Sequence, residues 1–251
     1  MINEKYMKSR EGEQPELFFE QDAELKDLAQ RVKYRVSLLG GGNSEESARI
    51  LGHDLTERFY PIQTGGYDTG AMKGGLEGAN QAINEMRQDT HTKELLSLVY
   101  PYPKGITAER FAPAWVPKGE HIKIEVAEGN KDMYLRLGIL MEDSSATIVL
   151  PGDAGTELEV FANLHFDKKL KPKFQVESKP LIVIGDSHIE LMRKFETVIN
   201  DSDNVYIVQD ETEALELVDV LRKLDNQSDL DEGEVEQLNE FRIQRRLKFE
   251  K

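Results

Sequence analysis

The sequence contains no cysteine, which excludes a disulfide framework and a thiolate metal site. It also lacks any long apolar run. The longest, near Ala146–Leu150 and Leu181–Ile184, fall far short of the roughly 20 residues that a bilayer-spanning helix needs. The opening stretch MINEKYMKSREGEQPE has charges but no apolar segment behind them, so no secretory signal is expected and the expected location is the cytoplasm. Basic residues are in deficit: 32 Lys and Arg stand against 47 Asp and Glu, a formal charge of -15. Such a surface repels polymeric nucleic acid, although it leaves room for a small phosphorylated ligand in a local pocket. His165 and His188 lack metal-ligand spacing, are read as structural or surface residues, and no metal site is expected.

What remains is an ordinary globular composition, with 31% charged and 39% hydrophobic residues over 251 positions. That fits one larger α/β domain with terminal extensions. Residues 1–31 read as a polar tail and a helix, with Leu17, Phe18, Leu25 and Leu28 at loosely helical spacing. Residues 32–224 read as the domain, and 225–251 as a charged extension, acidic then basic, forming a hinge and a terminal helix that could dock on a subunit partner.

The organising stretch is Ser145–Phe161, SATIVLPGDAGTELEVF: a strand-like run, a small-residue turn, then a helical pattern through Leu158, Val160 and Phe161. In an open α/β sheet such a turn lies where ligands bind, and the following helix presents free N–H groups to an anion. Two earlier units repeat the design. Tyr34–Leu39 ends at Gly40-Gly41-Gly42 before a helix over Glu45–Phe59, and Tyr60–Thr64 ends at Gly65-Gly66 before a helix over Ala71–Arg87. One such turn alone is a tight βα connection; three at strand carboxyl ends point to a shared crevice. GGGNSE lacks the third glycine of the dinucleotide fingerprint, so no NAD site is expected.

Further along, Glu94–Tyr100 is another apolar run, and Ile106–Lys118 reads as an irregular aromatic loop over the crevice or against a second subunit, with Trp115 a packing residue rather than a ligand-stacking one. His121–Val126 alternates like a strand. The helix over Lys131–Ser144 gathers Met133, Leu137, Leu140 and Met141 on one face, with Arg136 near its middle. Leu181–Ile184 and Asn204–Val208 are the last strands, each followed by a helix, through Val198 and over Thr212–Leu224. The alternation predicts a Rossmann-like parallel sheet of about six or seven strands with helices on both faces.

In this order the glycine turns resemble the lysine-decarboxylase-like, or LONELY GUY, family of nucleotide-binding proteins. Its PGG-x-GT-x-x-E motif stands here as Pro151-Gly152-Asp153-Ala154-Gly155-Thr156-Glu157-Leu158-Glu159, its Gly-rich GLMGA run as Thr64–Ala79, and its Met-x-x-Arg-Lys element as Met133–Leu137. The resemblance spans roughly Val36 to Val208. It implies that Gly152, Asp153, Gly155 and Thr156 surround a 5′-phosphate, that Gly41, Gly42, Gly65 and Gly66 line the crevice, and that Arg136 and Glu159 face the ribose as catalytic residues. The implied activity is nucleoside 5′-monophosphate phosphoribohydrolase, releasing free base and ribose 5-phosphate from an AMP-like substrate, in a homodimer. The alternative is a non-catalytic nucleotide or small-ligand binding protein of the same fold. No lysine is framed for a Schiff base, and no cofactor is expected.

Two positions depart from the family pattern. Asp153 replaces the second motif glycine, and Leu137 replaces the lysine. A carboxylate about 4 Å from a phosphate repels it by roughly 1 to 4 kcal/mol, unless it turns away as a helix cap.

Overall fold

The runs VSLL, ATIV, LIVI and VYIV are apolar on both faces, and a strand of that composition must be covered on both sides. In the computed structural model of the protein, which describes residues 23–111, 119–129, 131–165, 179–186, 189, 192, 204–226 and 230–242, these four runs are fully buried strands. Seven parallel strands form one sheet: β1 (Val36–Leu39), β2 (Ile62–Thr64), β3 (Lys104–Ala108), β4 (Lys123–Ala127), β5 (Ala146–Val149), β6 (Leu181–Ile184) and β7 (Val205–Val208). Their order is β4-β3-β2-β1-β5-β6-β7. The order reverses between β1 and β5, which pair in register from Val36 opposite Ala146 to Leu39 opposite Val149.

The described helices are α1 (Ala23–Arg31), α2 (Glu45–Glu57), α3 (Gly70–Met86), α4 (Thr90–Leu98), α5 (Asp132–Glu142), α6 (Ala154–His165), α7 (Glu211–Asp225) and α8 (Glu232–Phe241). Strand alternation divides the core into two layers. Val36, Leu38, Ile148, Ile182 and Tyr206 join Leu51 and Leu55 of α2, Leu76 of α3 and Leu217 of α7. On the opposite face Val149, Val183 and Ile207 meet Val160 and Leu164 of α6. A satellite cluster of Leu25, Leu28, Phe59, Met86, Leu95 and Val99 seats α1 on α4. No described helix is long and apolar enough to cross a membrane.

Several expected boundaries move, and three readings change. The irregular loop expected from Ile106 overlaps a buried strand, β3, next to the edge strand β4. Lys104 and Gly105 disguise it, because the ammonium of Lys104 reaches Asp143 at 2.7 Å and also pairs with Glu125, and Gly105 lets Gly66 lie against the strand. The apolar run Glu94–Tyr100 belongs mostly to α4, which starts at Thr90 behind an Asp89 cap. The terminal helix α8 docks on its own domain: Leu238 and Phe241 enter the main core and Arg242 forms a bridge to Tyr206. Trp115, His188, the helix through Val198, and residues 1–22 lie outside the described residues.

Helices α2 and α3 touch through backbone. A Cβ on Gly52 would fall 2.1 Å from the Gly75 carbonyl oxygen, and one on Gly78 would fall 2.0 Å from that of Arg49. Gly138 on α5, by contrast, has nothing within 4 Å of an added Cβ. Gly78→Ala should therefore lower the melting temperature by about 5 °C or more, because backbone cannot yield as a side-chain tip can. Gly138→Ala should raise it slightly, by about 1–3 °C. Thermal unfolding of the two variants measures both.

Candidate functional site

The chain ends of β1, β2 and β5 are neighbours, and their three turns are tied together by backbone hydrogen bonds. Gly41 N–H donates to the Pro151 carbonyl at 3.0 Å, and the Gly41 carbonyl accepts from Ala71 N–H at 3.2 Å and Ser44 N–H at 3.2 Å. The Ser44 hydroxyl donates to the same Pro151 carbonyl at 2.6 Å. The N-termini of α2, α3 and α6 consequently converge on the switch point, where open α/β sheets hold ligands.

Glycine is required where these turns meet. A Cβ on Gly41 would lie 2.8 Å from Gly152 Cα, and one on Gly152 would strike the Thr156 hydroxyl at 2.0 Å. Thr156 is buried. Gly42 and Gly155 are open: an added Cβ meets nothing near Gly42 and only the Asp153 carboxylate, at 3.2 Å, near Gly155. Gly65 and Gly66 are buried beneath the crevice rather than on its surface. The space a Gly65 side chain would fill is taken by the Arg136 guanidinium, 1.9 Å from the Cβ position.

Arg136 is buried in the middle of α5. It is 6% exposed, and its Nε donates to the carbonyls of Gly65 at 3.2 Å and Ile106 at 3.0 Å. Its guanidinium carbon lies 4.7 Å from the centre of the Tyr67 ring, a cation–π arrangement. The Tyr67 hydroxyl accepts from Ala108 N–H at 3.3 Å. Nη1 of Arg136 faces Glu159 at 3.6 Å. The turn after β2, the middle of β3 and an aromatic ring thus fix the cation, and α6 brings the carboxylate to it. The anchor upstream is Asp132, buried at the first turn of α5, which accepts from Arg110 Nε at 2.9 Å and Arg110 N–H at 3.1 Å. Those bonds hold its carboxyl well below the usual range, at about 2.

Burial pushes the Glu159 carboxyl above its ordinary range; Arg136 opposes this and the nearby Asp153 adds to it. Asp153 is exposed and has turned to cap α6, accepting from Gly155 N–H at 3.0 Å with its side chain and from Glu157 N–H at 3.0 Å with its carbonyl. The capping alternative is the one adopted, and it occupies one of the N–H groups of the anion cradle. The residues brought together are therefore Arg136, Glu159, Gly41, Gly152, Gly155, Thr156 and Asp153, over buried Gly65 and Gly66. Tyr67 was missed by sequence reasoning, although it stands inside the glycine turn where a small residue would be expected.

The outer faces beside the site are apolar. Met133, Tyr134 and Leu135 on α5 and Leu158 and Phe161 on α6 are exposed, while the buried positions of α5 are Asp132, Arg136 and Leu140.

No protein-family model matches the sequence, and no curated protein does. Solved structures do match. The molybdenum cofactor carrier protein of Chlamydomonas reinhardtii is 19% identical with a TM-score of 0.52, over 75% of this chain and 98% of that one. The molybdenum cofactor binding protein of the phototrophic bacterium Rippkaea orientalis is 20% identical with a TM-score of 0.52, over 74% and 96%. At this identity the likeness is one of fold.

A buried carboxyl with raised proton affinity favours the folded state when protonated, and that contribution is lost as pH rises through its titration range. Glu159→Gln should therefore be more stable than the parent at pH 7, with the difference shrinking toward pH 4. Melting temperatures across that range check it.

Proposed function

We propose that the crevice binds a small, nucleotide-like molecule bearing a 5′-phosphate, and that the protein is a nucleoside 5′-monophosphate phosphoribohydrolase of the lysine-decarboxylase-like family. The observation that carries this reading is the placement of Arg136 and Glu159, 3.6 Å apart, beside three glycine turns that meet at the switch point. The phosphate would sit at Gly152, Gly155 and Thr156, with Arg136 fixing the phosphate or ribose. Water adds at the anomeric carbon as the glycosidic C–N bond breaks, and the departing base takes up a proton. The sugar is oxocarbenium-like at that point, so a carboxylate stabilises it or activates the water, as in other glycosidic hydrolyses. Burial raises the proton affinity of Glu159, which strengthens it as a base.

The exposed apolar faces of α5 and α6 support a homodimer, since a second copy would cover Met133, Tyr134, Leu135, Leu158 and Phe161 together. Carriage of a ligand without turnover is the second reading. It is favoured by Asp153, whose side chain holds Gly155 N–H, and it accords with the fold shared with a cofactor carrier.

Ribose 5-phosphate release from a panel of nucleoside 5′-monophosphates tests the enzyme. Activity toward at least one is expected, and Glu159→Gln should reduce it at least about 100-fold. No release from any of them by the folded protein contradicts hydrolysis. Asp153→Gly frees the cradle and removes a like charge, so it should tighten nucleotide binding about tenfold or more in calorimetry. This second outcome is expected under either reading of the crevice.

A further inference from the structure

The outer surface of α2 carries a cluster that the crevice does not use. One ligand atom from each of His53, Asp54 and Glu57 lies within 4.8 Å of the others. His53 Nδ1 is 2.9 Å from Asp54 Oδ1, and its Nε2 is 2.8 Å from Glu85 Oε2 on α3. Glu85 is itself oriented by Gln81, whose amide donates to its other oxygen at 2.8 Å. We propose that His53, Asp54 and Glu57 bind a divalent transition-metal ion of the zinc class, with Glu85 orienting the imidazole from behind.

Three features support this assignment. A metal-binding imidazole usually donates its second nitrogen to a carboxylate, which fixes the tautomer and ring direction. Glu85 occupies that place, and an ion bound by both Nδ1 and Asp54 Oδ1 replaces the proton now held between these atoms 2.9 Å apart. The Glu57 carboxylate follows His53 by one helical turn on the same face and is exposed, so it can swing to close a set of ligands about 2.0–2.2 Å from one ion. An imidazole nitrogen with two carboxylate oxygens selects zinc-like ions over magnesium or calcium, which prefer oxygen alone. The cluster sits about two helical turns, roughly 12 Å, from the start of α2 at the crevice. Its open face leaves the remaining coordination to water. The backbone contact between α2 and α3 supplies the rigidity, because it holds Glu85 at a fixed distance from His53.

The test is calorimetry and thermal unfolding of the full chain, free of any affinity tag, titrated with zinc chloride. Binding of one ion per chain is expected, and zinc at about ten times its dissociation constant should raise the melting temperature by roughly 4 °C. His53→Ala should abolish the tight site, and Glu57→Gln, an exposed change that leaves the helix intact, should weaken it about tenfold or more. Glu85→Gln, which removes no proposed ligand, should weaken it about 10- to 100-fold. Absence of zinc binding by the folded parent, or zinc binding unchanged in both His53→Ala and Glu57→Gln, overturns the assignment and leaves the cluster a salt-bridged staple between the two helices.

Discussion

Gly41 and Gly152 approach so closely that neither can carry a side chain: the Cβ of either would come within 2.8 Å of the other's backbone. That contact joins the turn after β1 to the turn after β5 at the one place where the strand order reverses. The hydrogen bonds from Gly41 to Pro151 and from Ala71 to Gly41 follow from it, and through them the N-termini of α2, α3 and α6 are brought to a single crevice. A larger residue at either glycine would separate the turns and dismantle the knot.

The second constraint is a buried cation. A guanidinium taken out of water needs its donors satisfied, and Arg136 meets this with two main-chain carbonyls, an aromatic face and Glu159. Gly65 is glycine to make room for it. The local charge is nearly balanced by Glu159, and Asp153 adds a further negative charge at the helix N-terminus. A phosphate entering here must displace or tolerate that carboxylate, so the crevice is tuned away from the tightest anion binding its backbone could offer.

The sheet, its strand ends and the crevice were legible because βα units repeat a strong local pattern: apolar run, glycine turn, amphipathic helix. β3 was not legible, since Lys104 and Gly105 carry no strand signature and their roles depend on partners distant in sequence, Asp143 and Gly66. On α5 the apolar stripe holds at Leu140, which is buried, and fails at Met133. Met133 lies outside with Tyr134 and Leu135, while Asp132 and Arg136 lie inside because Arg110, the turn after β2 and the middle of β3 satisfy them. Periodicity reports where apolar residues fall and says nothing of a polar residue whose partners are already in place. The glycines of α3 fall in the motif-like run Thr64–Ala79, yet Gly74 and Gly78 are there to admit the backbone of α2 at Glu45 and Arg49.

A crystal structure of the protein grown with a nucleoside 5′-monophosphate tests the central claim most directly. Density for the phosphate is expected at Gly152–Thr156, with the ribose between Arg136 and Glu159. Density elsewhere on the molecule, or an unchanged crevice with Asp153 still bonded to Gly155 at saturating nucleotide, would contradict it.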